Sequence, residues 1–206
     1  MNKWAVNLNV SKEQQAKLLA LCSEFARACN ELAATVQQTK CWNRVALHHM
    51  TYRQLREAYP NLGSQMVCNV IYSVCRNARI VYQHPESPHN LTKLNGKPLP
   101  RIIFNQFSAV FFDKHTLSIS NNKLSLFTLE GRMKFELNIP SDIEQKFRSE
   151  PVKEISLEYK KNQQVILRFV FDEASNDSKA SVMSALSTYK SVKHMRGQQN
   201  SIGVAA

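Results

Sequence analysis

The sequence predicts an α+β protein in which a helical segment follows the first strand. Short runs between residues 111 and 139 alternate apolar and polar residues and are separated by Asn and Gly, which is typical of half-buried antiparallel strands. Residues 11–81 instead carry apolar side chains at helical spacing. Because residues 4–10 also alternate, the helices separate one N-terminal strand from all the others.

The first helix has a clear start signal. Ser11 and Gln14 have the identities and spacing of a capping box, which predicts a helix from there to about Gln38. Its apolar residues are expected to face the protein core rather than a cofactor.

Two more helices are predicted before the main strand block. Thr51 and Gln54 form a second possible capping box, and Pro60 ends the short helix that this box would start. A long third helix is expected from about Leu62 to Ile80. The segment 82–100 contains four of the seven prolines and is predicted to be a loop or linker.

The C-terminal half adds a short helix over 140–150 and the hairpin LEYKKNQQVILRFVF. About six or seven strands are expected, enough for a small antiparallel β-barrel that resembles the OB fold. We therefore divide the chain into the first barrel strand (1–10), a helical domain with its linker (11–100), the remainder of the barrel (101–172) and a polar tail (173–206).

Charge gives the strongest compositional signal about function. The chain has 27 Lys and Arg against 16 Asp and Glu, a formal net charge of +11. Between Lys40 and Arg101 nine cations face only Glu57 and Glu86. Such an excess indicates a polyanionic partner, and nucleic acid is expected rather than a membrane because no amphipathic membrane helix is evident.

Other features place the chain in the cytoplasm. No run of about 18 apolar residues occurs, and the first residues lack a secretory pattern. The five cysteines form no close CxxC pair, so they are expected to be reduced, buried thiols rather than metal ligands or disulfides.

Several segments in order resemble the N-terminal half of the TnpB family. They are SKEQQAKLLALCSEFARACNEL, TYRQLREAYPNLGSQMVCNVIYSVCRNA, FDKHTLSIS and LSLFTLEGRMKFEL. TnpB proteins, also called OrfB transposases of insertion sequences, are RNA-guided nucleases similar to compact type V CRISPR effectors. The resemblance spans about residues 4–171.

The resemblance implies a wedge-like barrel with an inserted helical recognition domain. In this family the two domains hold a guide-like noncoding RNA and target double-stranded DNA, and they read a short DNA motif that flanks the target. The matching positions here are Tyr52, Arg53, Arg56, Ser64, Gln65, Asn69, Gln106 and Ser108. For Tyr52 and Gln65 the alternative is structural: Tyr52 would pack on the first helix and Gln65 would merely lie at a helix start.

Phosphate contacts need only positive charge, so they are easier to assign than base contacts. We expect RNA or DNA backbone contacts at Lys40, Arg44, Arg76, Arg79, Lys97, Arg101, Lys160 and Lys161.

No catalytic or metal-binding residue is expected. The family continues into a RuvC-like nuclease with Mg and Zn sites, and the tail QQNSIGVAA resembles only the first strand of that domain. The carboxylates of Asp142, Glu144, Asp172, Glu173 and Asp177 are predicted to lie on the surface. The function expected is nucleic-acid binding without catalysis. The alternatives are the recognition half of a split endonuclease, with the nuclease supplied in trans, and a generic basic RNA-binding protein.

Overall fold

The structure, a computed structural model, describes residues 3–137 and 139–171. Five helices and seven strands lie in these two ranges, and they form a mixed α+β fold. In chain order they are β1 (Lys3–Leu8), α1 (Lys12–Thr39), α2 (Arg44–Ala58), α3 (Ser64–Tyr82), α4 (Leu91–Leu94), β2 (Val110–Phe112), β3 (Leu117–Ser120), β4 (Lys123–Thr128), β5 (Gly131–Glu136), α5 (Ser141–Ser149), β6 (Val152–Tyr159) and β7 (Val165–Phe171).

The predicted start of α1 is confirmed. Ser11 Oγ accepts from the Gln14 backbone N–H, and the Gln14 side chain accepts from the Ser11 backbone N–H, so both halves of the capping box form. The helix ends at Lys40, which adopts a left-handed conformation with φ 54°. Its 28 residues make a rod about 42 Å long.

The predicted start of α2 is wrong. The helix begins at Arg44, where the Asn43 side chain accepts from the backbone N–H groups of Val45 and Ala46. Thr51 therefore lies inside the helix and is buried. Its hydroxyl donates to the Leu47 carbonyl, a bond that a threonine one turn further along a helix can make.

The segment between α3 and β2 is more ordered than a linker. Asn90 is buried, and its amide donates to the carbonyls of Gln83 and His84. Ser87 is also buried and donates to the Val81 carbonyl at 2.5 Å. The loop therefore folds back onto the end of α3, and α4 forms within it.

The strands form two antiparallel sheets rather than a barrel. Sheet A has the order β1-β7-β6-β2, and sheet B has the order β3-β4-β5. Neither sheet closes on itself within the described residues, so the predicted small barrel is not confirmed. The helices do lie between β1 and the other strands, as predicted.

The strand registers follow local signals. Asn121 and Asn122, with φ of 52° and 58°, form the two-residue turn between β3 and β4. Two positive φ values are what a type I′ hairpin turn requires, and Asn tolerates them better than most residues. The predicted hairpin of β6 and β7 also forms, with Leu157 opposite Leu167.

One hydrophobic core joins the helices and both sheets. Buried residues of α1, α3 and all seven strands belong to it, with Leu18, Val70 and Phe169 among the most buried. Helix α5 contacts both sheets: Phe147 meets the Phe169 ring of β7 edge-on, and Glu144 accepts from the Asn121 backbone N–H at the β3–β4 turn. The domain boundaries at residues 10, 100 and 172 stay a prediction.

None of the helices in the described ranges is long and apolar enough to cross a membrane. The polar tail predicted over 173–206, the segment QQNSIGVAA and the carboxylates of Asp172, Glu173 and Asp177 lie outside the described residues.

Candidate nucleic-acid interface

The C-terminal ends of α1 and α3 lie side by side. Trp42, just after α1, packs against Tyr82 of α3 with 5.4 Å between the ring centroids. The Tyr82 hydroxyl donates to the Pro100 carbonyl at 2.6 Å, and Gln37 of α1 donates to the Leu99 carbonyl at 2.7 Å. These contacts bring the end of α1, the start of α2, the end of α3 and the loop 83–100 together at one end of the helical part.

We call this surface the helical end and define it by five cations: Lys40, Arg44, Arg79, Lys93 and Lys97. All five residues are exposed. Lys40 caps α1, Arg44 begins α2 and Arg79 lies in the last turn of α3. Four of them were predicted as phosphate contacts from the sequence. Lys93 was not among the predicted sites, although it lies in the same proline-rich segment as Lys97.

Within the residues that the structure describes, no ion pair balances the charges of these cations. No carboxylate of the described residues lies within 4.0 Å of Lys40, Arg44, Arg79 or Lys97. Lys93 donates to the Pro85 carbonyl and forms no ion pair with a carboxylate of the described residues. Cations at helix C-termini also interact favourably with the helix dipole, but they keep their positive charge and can still bind an anion.

The Cys75 thiol responds to two of these charges. Burial raises the pKa of this thiol to about 11, while the Arg79 and Arg44 guanidinium groups act in the opposite direction. Arg44 and Arg79 therefore lie near the same buried sulfur, although 35 residues separate them in sequence. The positive potential of the two arginines is concentrated at one place.

Three of the four predicted phosphate contacts outside the helical end have partners within the protein. Arg76 pairs with Glu154 at 2.6 Å, and Lys160 pairs with Glu158 at 2.5 Å. Arg101 is exposed, and it donates to the Asn30 carbonyl of α1 at 3.0 Å. Lys161 is exposed beside Lys160.

Lys160 and Lys161 also lie far from the helical end. Tyr159, which precedes them, accepts a hydrogen bond from Gln15 at 2.6 Å. Gln15 is in the first turn of α1, whereas Lys40 follows its last turn, so roughly 35 Å of helix separates the two regions.

The residues predicted to read the flanking DNA motif differ in exposure and in hydrogen-bond partners. On α2, Tyr52 is half-buried and stacks on His48 at 4.6 Å between ring centroids. Arg53 has 94% of its side chain exposed and pairs with Glu57 at 3.2 Å. Arg56 donates to the Leu62 carbonyl and so helps to hold the turn between α2 and α3.

The start of α3 is tied to the turn between β2 and β3. Asp113 Oδ1 accepts from the backbone N–H groups of His115 and Thr116 at 3.0 Å, and Asp113 Oδ2 accepts from Gln65. Asn69 is only 5% exposed and donates to Thr116 Oγ1 at 3.5 Å. In this conformation Gln65 and Asn69 fasten α3 to the sheets, and Asn69 is not accessible to a base.

Three predicted residues of this set remain. Ser64, the first residue of α3, and Gln106 are exposed. Ser108 is only 7% exposed, and its Oγ accepts from the Asn105 backbone N–H at 3.0 Å, which stabilises the turn before β2. The sequence could not separate the exposed members from the buried ones, because polar residues at a helix start or turn serve either purpose.

The cysteines and carboxylates were also located. Cys22, Cys29 and Cys75 are buried, and Cys41 and Cys68 are half-buried, all as free thiols. In the described part of the chain, no group of three or more His, Cys, Asp or Glu residues could hold a metal ion. Asp142 is exposed and Glu144 is bound to the β3–β4 turn.

Comparison with known proteins adds no assignment. No protein-family model matches the chain, and no curated protein matches it significantly. The resemblance to the TnpB family therefore stays a prediction from the segments quoted above.

Proposed function

We propose that this chain binds nucleic acid and that the helical end holds its phosphate backbone. The observation that carries the proposal is the convergence of Lys40, Arg44, Arg79 and Lys97 from four segments onto one surface, where none of them pairs with a carboxylate of the described residues. A phosphate backbone is the common polyanion whose regular charge spacing can engage several such cations at once. Surface charge that served solubility alone would be interspersed with acids.

We further propose a TnpB-like role, in which the partners are a guide-like noncoding RNA and target double-stranded DNA in the cytoplasm of a prokaryote. The order of elements supports this role, since a strand, an inserted set of helices and then the remaining strands is the order that the resemblance implies. The two open sheets would take the place of the family's wedge barrel. In this role the described part of the chain binds nucleic acid.

The test compares two variants of equal net charge. The first changes Lys40, Arg44, Arg79 and Lys97 to Gln. The control changes four exposed lysines elsewhere, Lys12, Lys123, Lys134 and Lys153, to Gln. Binding of fluorescently labelled duplex DNA and structured RNA is measured by anisotropy from 50 to 300 mM KCl.

Each phosphate contact contributes about 0.9 to the slope of log K against log salt concentration. We therefore expect the slope of the first variant to fall by roughly 3 to 4, while the slope of the control falls by less than about 1. Equal slopes for the two variants would contradict the helical end as the binding surface.

A separate experiment tests whether the bound RNA is guide-like. The tagged protein is purified from cells that carry its native locus, and the RNA that co-purifies is sequenced. One dominant RNA with defined ends, lost in the helical-end variant, is expected for a guide-like partner. Heterogeneous RNA would instead support the generic RNA-binding alternative.

A further inference from the structure

An anion site lies where α3 meets sheet A, and a residue of the chain itself occupies it. Arg76 Nε donates to Glu154 Oε2 at 2.6 Å, and a second guanidinium nitrogen donates to Glu154 Oε1 at 3.4 Å. The Tyr72 hydroxyl donates to Glu154 Oε2 at 3.2 Å. Two α3 side chains thus direct three donors at one carboxylate on β6.

The geometry of the site suits a phosphate as well as a carboxylate. The Arg76 guanidinium lies over the Phe111 ring at 5.3 Å from its centroid, which fixes the plane of its donors. A planar guanidinium binds either anion through two parallel hydrogen bonds. The Arg76 and Glu154 side chains are 19% and 17% exposed, so the pair lies at the surface edge of the joint rather than in the core.

The site is continuous with the helical end. Arg44, which belongs to the helical end and has no carboxylate within 4.0 Å among the described residues, lies over the Tyr72 ring at 5.5 Å from its centroid. A phosphate held by Arg44 would therefore be one aromatic ring away from Arg76. Adjacent phosphates of one backbone are spaced by several ångströms, so a strand held at Arg44 would have a phosphate within reach of Arg76.

The position of Glu154 on its strand is irregular. The register between β6 and β7 shifts between Val152 and Glu154, which places a bulge at Lys153. A bulge redirects the neighbouring side chains and loosens the local ladder. Glu154 is thus presented to Arg76 from the least regular part of β6.

We propose that Glu154 is an internal competitor for nucleic acid: its carboxylate occupies the guanidinium of Arg76, and a backbone phosphate must displace it to gain that contact. Glu154 thereby lowers the affinity of the helical end for nucleic acid. Only a polyanion with enough phosphates to place one at Arg76 would displace the Glu154 carboxylate. The inference rests on the proposed function, because it concerns the same phosphate-binding surface.

The experiment uses the full chain and the same labelled duplex DNA. Glu154→Gln removes the competing charge and keeps an oxygen that can accept from Tyr72 and Arg76. We expect about tenfold tighter binding at 100 mM KCl and a salt slope steeper by about 0.9, since phosphate no longer has to displace the Glu154 carboxylate from Arg76. Glu136→Gln, which removes an exposed carboxylate of β5 that lies 3.9 Å from Lys123, is the control for loss of a negative charge away from Arg76.

A double-mutant cycle shows whether the gain passes through Arg76. Adding Arg76→Gln to Glu154→Gln should abolish both the tighter binding and the steeper slope. Glu154→Asp keeps the net charge but shortens the side chain by one methylene, so it should also tighten binding, by a smaller factor. This variant keeps the test valid if Glu154→Gln does not fold, as judged by circular dichroism.

The outcomes separate the two proposals. If wild-type protein binds but Glu154→Gln and Glu136→Gln change the affinity equally, or if the gain survives loss of Arg76, the competitor role is overturned and the proposed function stands. If wild-type protein and every variant fail to bind DNA or RNA at 50 mM KCl, the proposed function is overturned and this inference with it.

Discussion

Asn30 of α1 holds the segment that leads from the helices into sheet A. Its side-chain amide donates to the Phe104 carbonyl at 2.9 Å, and its side-chain oxygen accepts from the Phe104 backbone N–H at 2.8 Å. Phe104 is 74 residues away in sequence and is buried. Asn30→Asp preserves the shape of the side chain but replaces the amide donor with an oxygen.

The cost of this change can be worked out from the two bonds. The lost hydrogen bond leaves the Phe104 carbonyl buried without a donor, which costs about 1 to 3 kcal/mol. We therefore expect the free energy of unfolding to fall by about 1 to 3 kcal/mol at pH 7. Urea unfolding followed by far-ultraviolet circular dichroism measures this loss.

The loss should also depend on pH. The protonated form of the introduced carboxyl can donate to the Phe104 carbonyl again, so its pKa is raised in the folded state. A group with a raised folded pKa contributes stability below its unfolded pKa, about 3.9, and loses that contribution as pH rises through the folded pKa. The gap between variant and wild type should therefore narrow towards pH 4.

Asn162→Asp is the matched control, because Asn162 lies in the exposed β6–β7 turn. Its change in stability should stay within about 0.5 kcal/mol. If both variants lost the same small amount, the hydrogen bonds between Asn30 and Phe104 would not be holding the segment, and the estimate above would be refuted.

Four further predictions concern single side chains. Within the described residues the buried Ser73 hydroxyl has only the Cys29 thiol as a weak hydrogen-bonding neighbour, so Ser73→Ala should leave the free energy of unfolding in urea unchanged or raise it. Ser87→Ala removes a hydrogen bond to the Val81 carbonyl and should lower that free energy by about 1 to 3 kcal/mol. Burial raises the pKa of the Cys22 thiol to about 12 and that of Cys75 to about 11, so mass-spectrometric mapping at pH 8 should find both unmodified by iodoacetamide in the native protein and modified in urea. A Cβ at Gly63 would lie 3.2 Å from the Phe127 ring, so Gly63→Val should lower the urea midpoint; an unchanged midpoint would mean that the Phe127 ring moves aside freely. A hydrogen bond from the Asn121 backbone N–H lowers the pKa of the Glu144 carboxylate. This carboxylate therefore stabilises the fold above its unfolded pKa of about 4.5, and the stabilisation is lost as pH falls through the lower folded pKa. The thermal midpoint of Glu144→Gln should drop less between pH 6 and pH 3 than that of wild type.

The starts of α1 and of the β3–β4 hairpin could be predicted because their causes are local. Ser11 and Gln14 satisfy each other across three residues, and Asn121 and Asn122 tolerate the two positive φ values that the turn requires. The alternation of β4 and β7 is similarly local, since it reflects only which face of a strand is buried. Such signals act within a few residues, so the sequence displays them directly.

The start of α2 was not decidable in this way. Asn43 and Thr51 are both acceptable helix caps, and the sequence offers no local reason to reject the second. In the structure α2 packs mainly against α3, its Leu47 and Thr51 are buried, and Tyr59, which follows it, donates to Glu31 of α1. Tertiary burial selected the longer helix.

The sequence by itself determined the net charge, the α+β class and the order of the elements. It did not determine that the strands form two open sheets, because that depends on which strands pair at the sheet edges in the folded protein. Nor did it determine which cations are available to a ligand. Arg76 and Arg79 are three residues apart on one helix, yet Arg76 is paired with Glu154, 78 residues away, while Arg79 has no carboxylate within 4.0 Å among the described residues. Coulomb interaction depends on distance in space, and only the tertiary structure sets that distance.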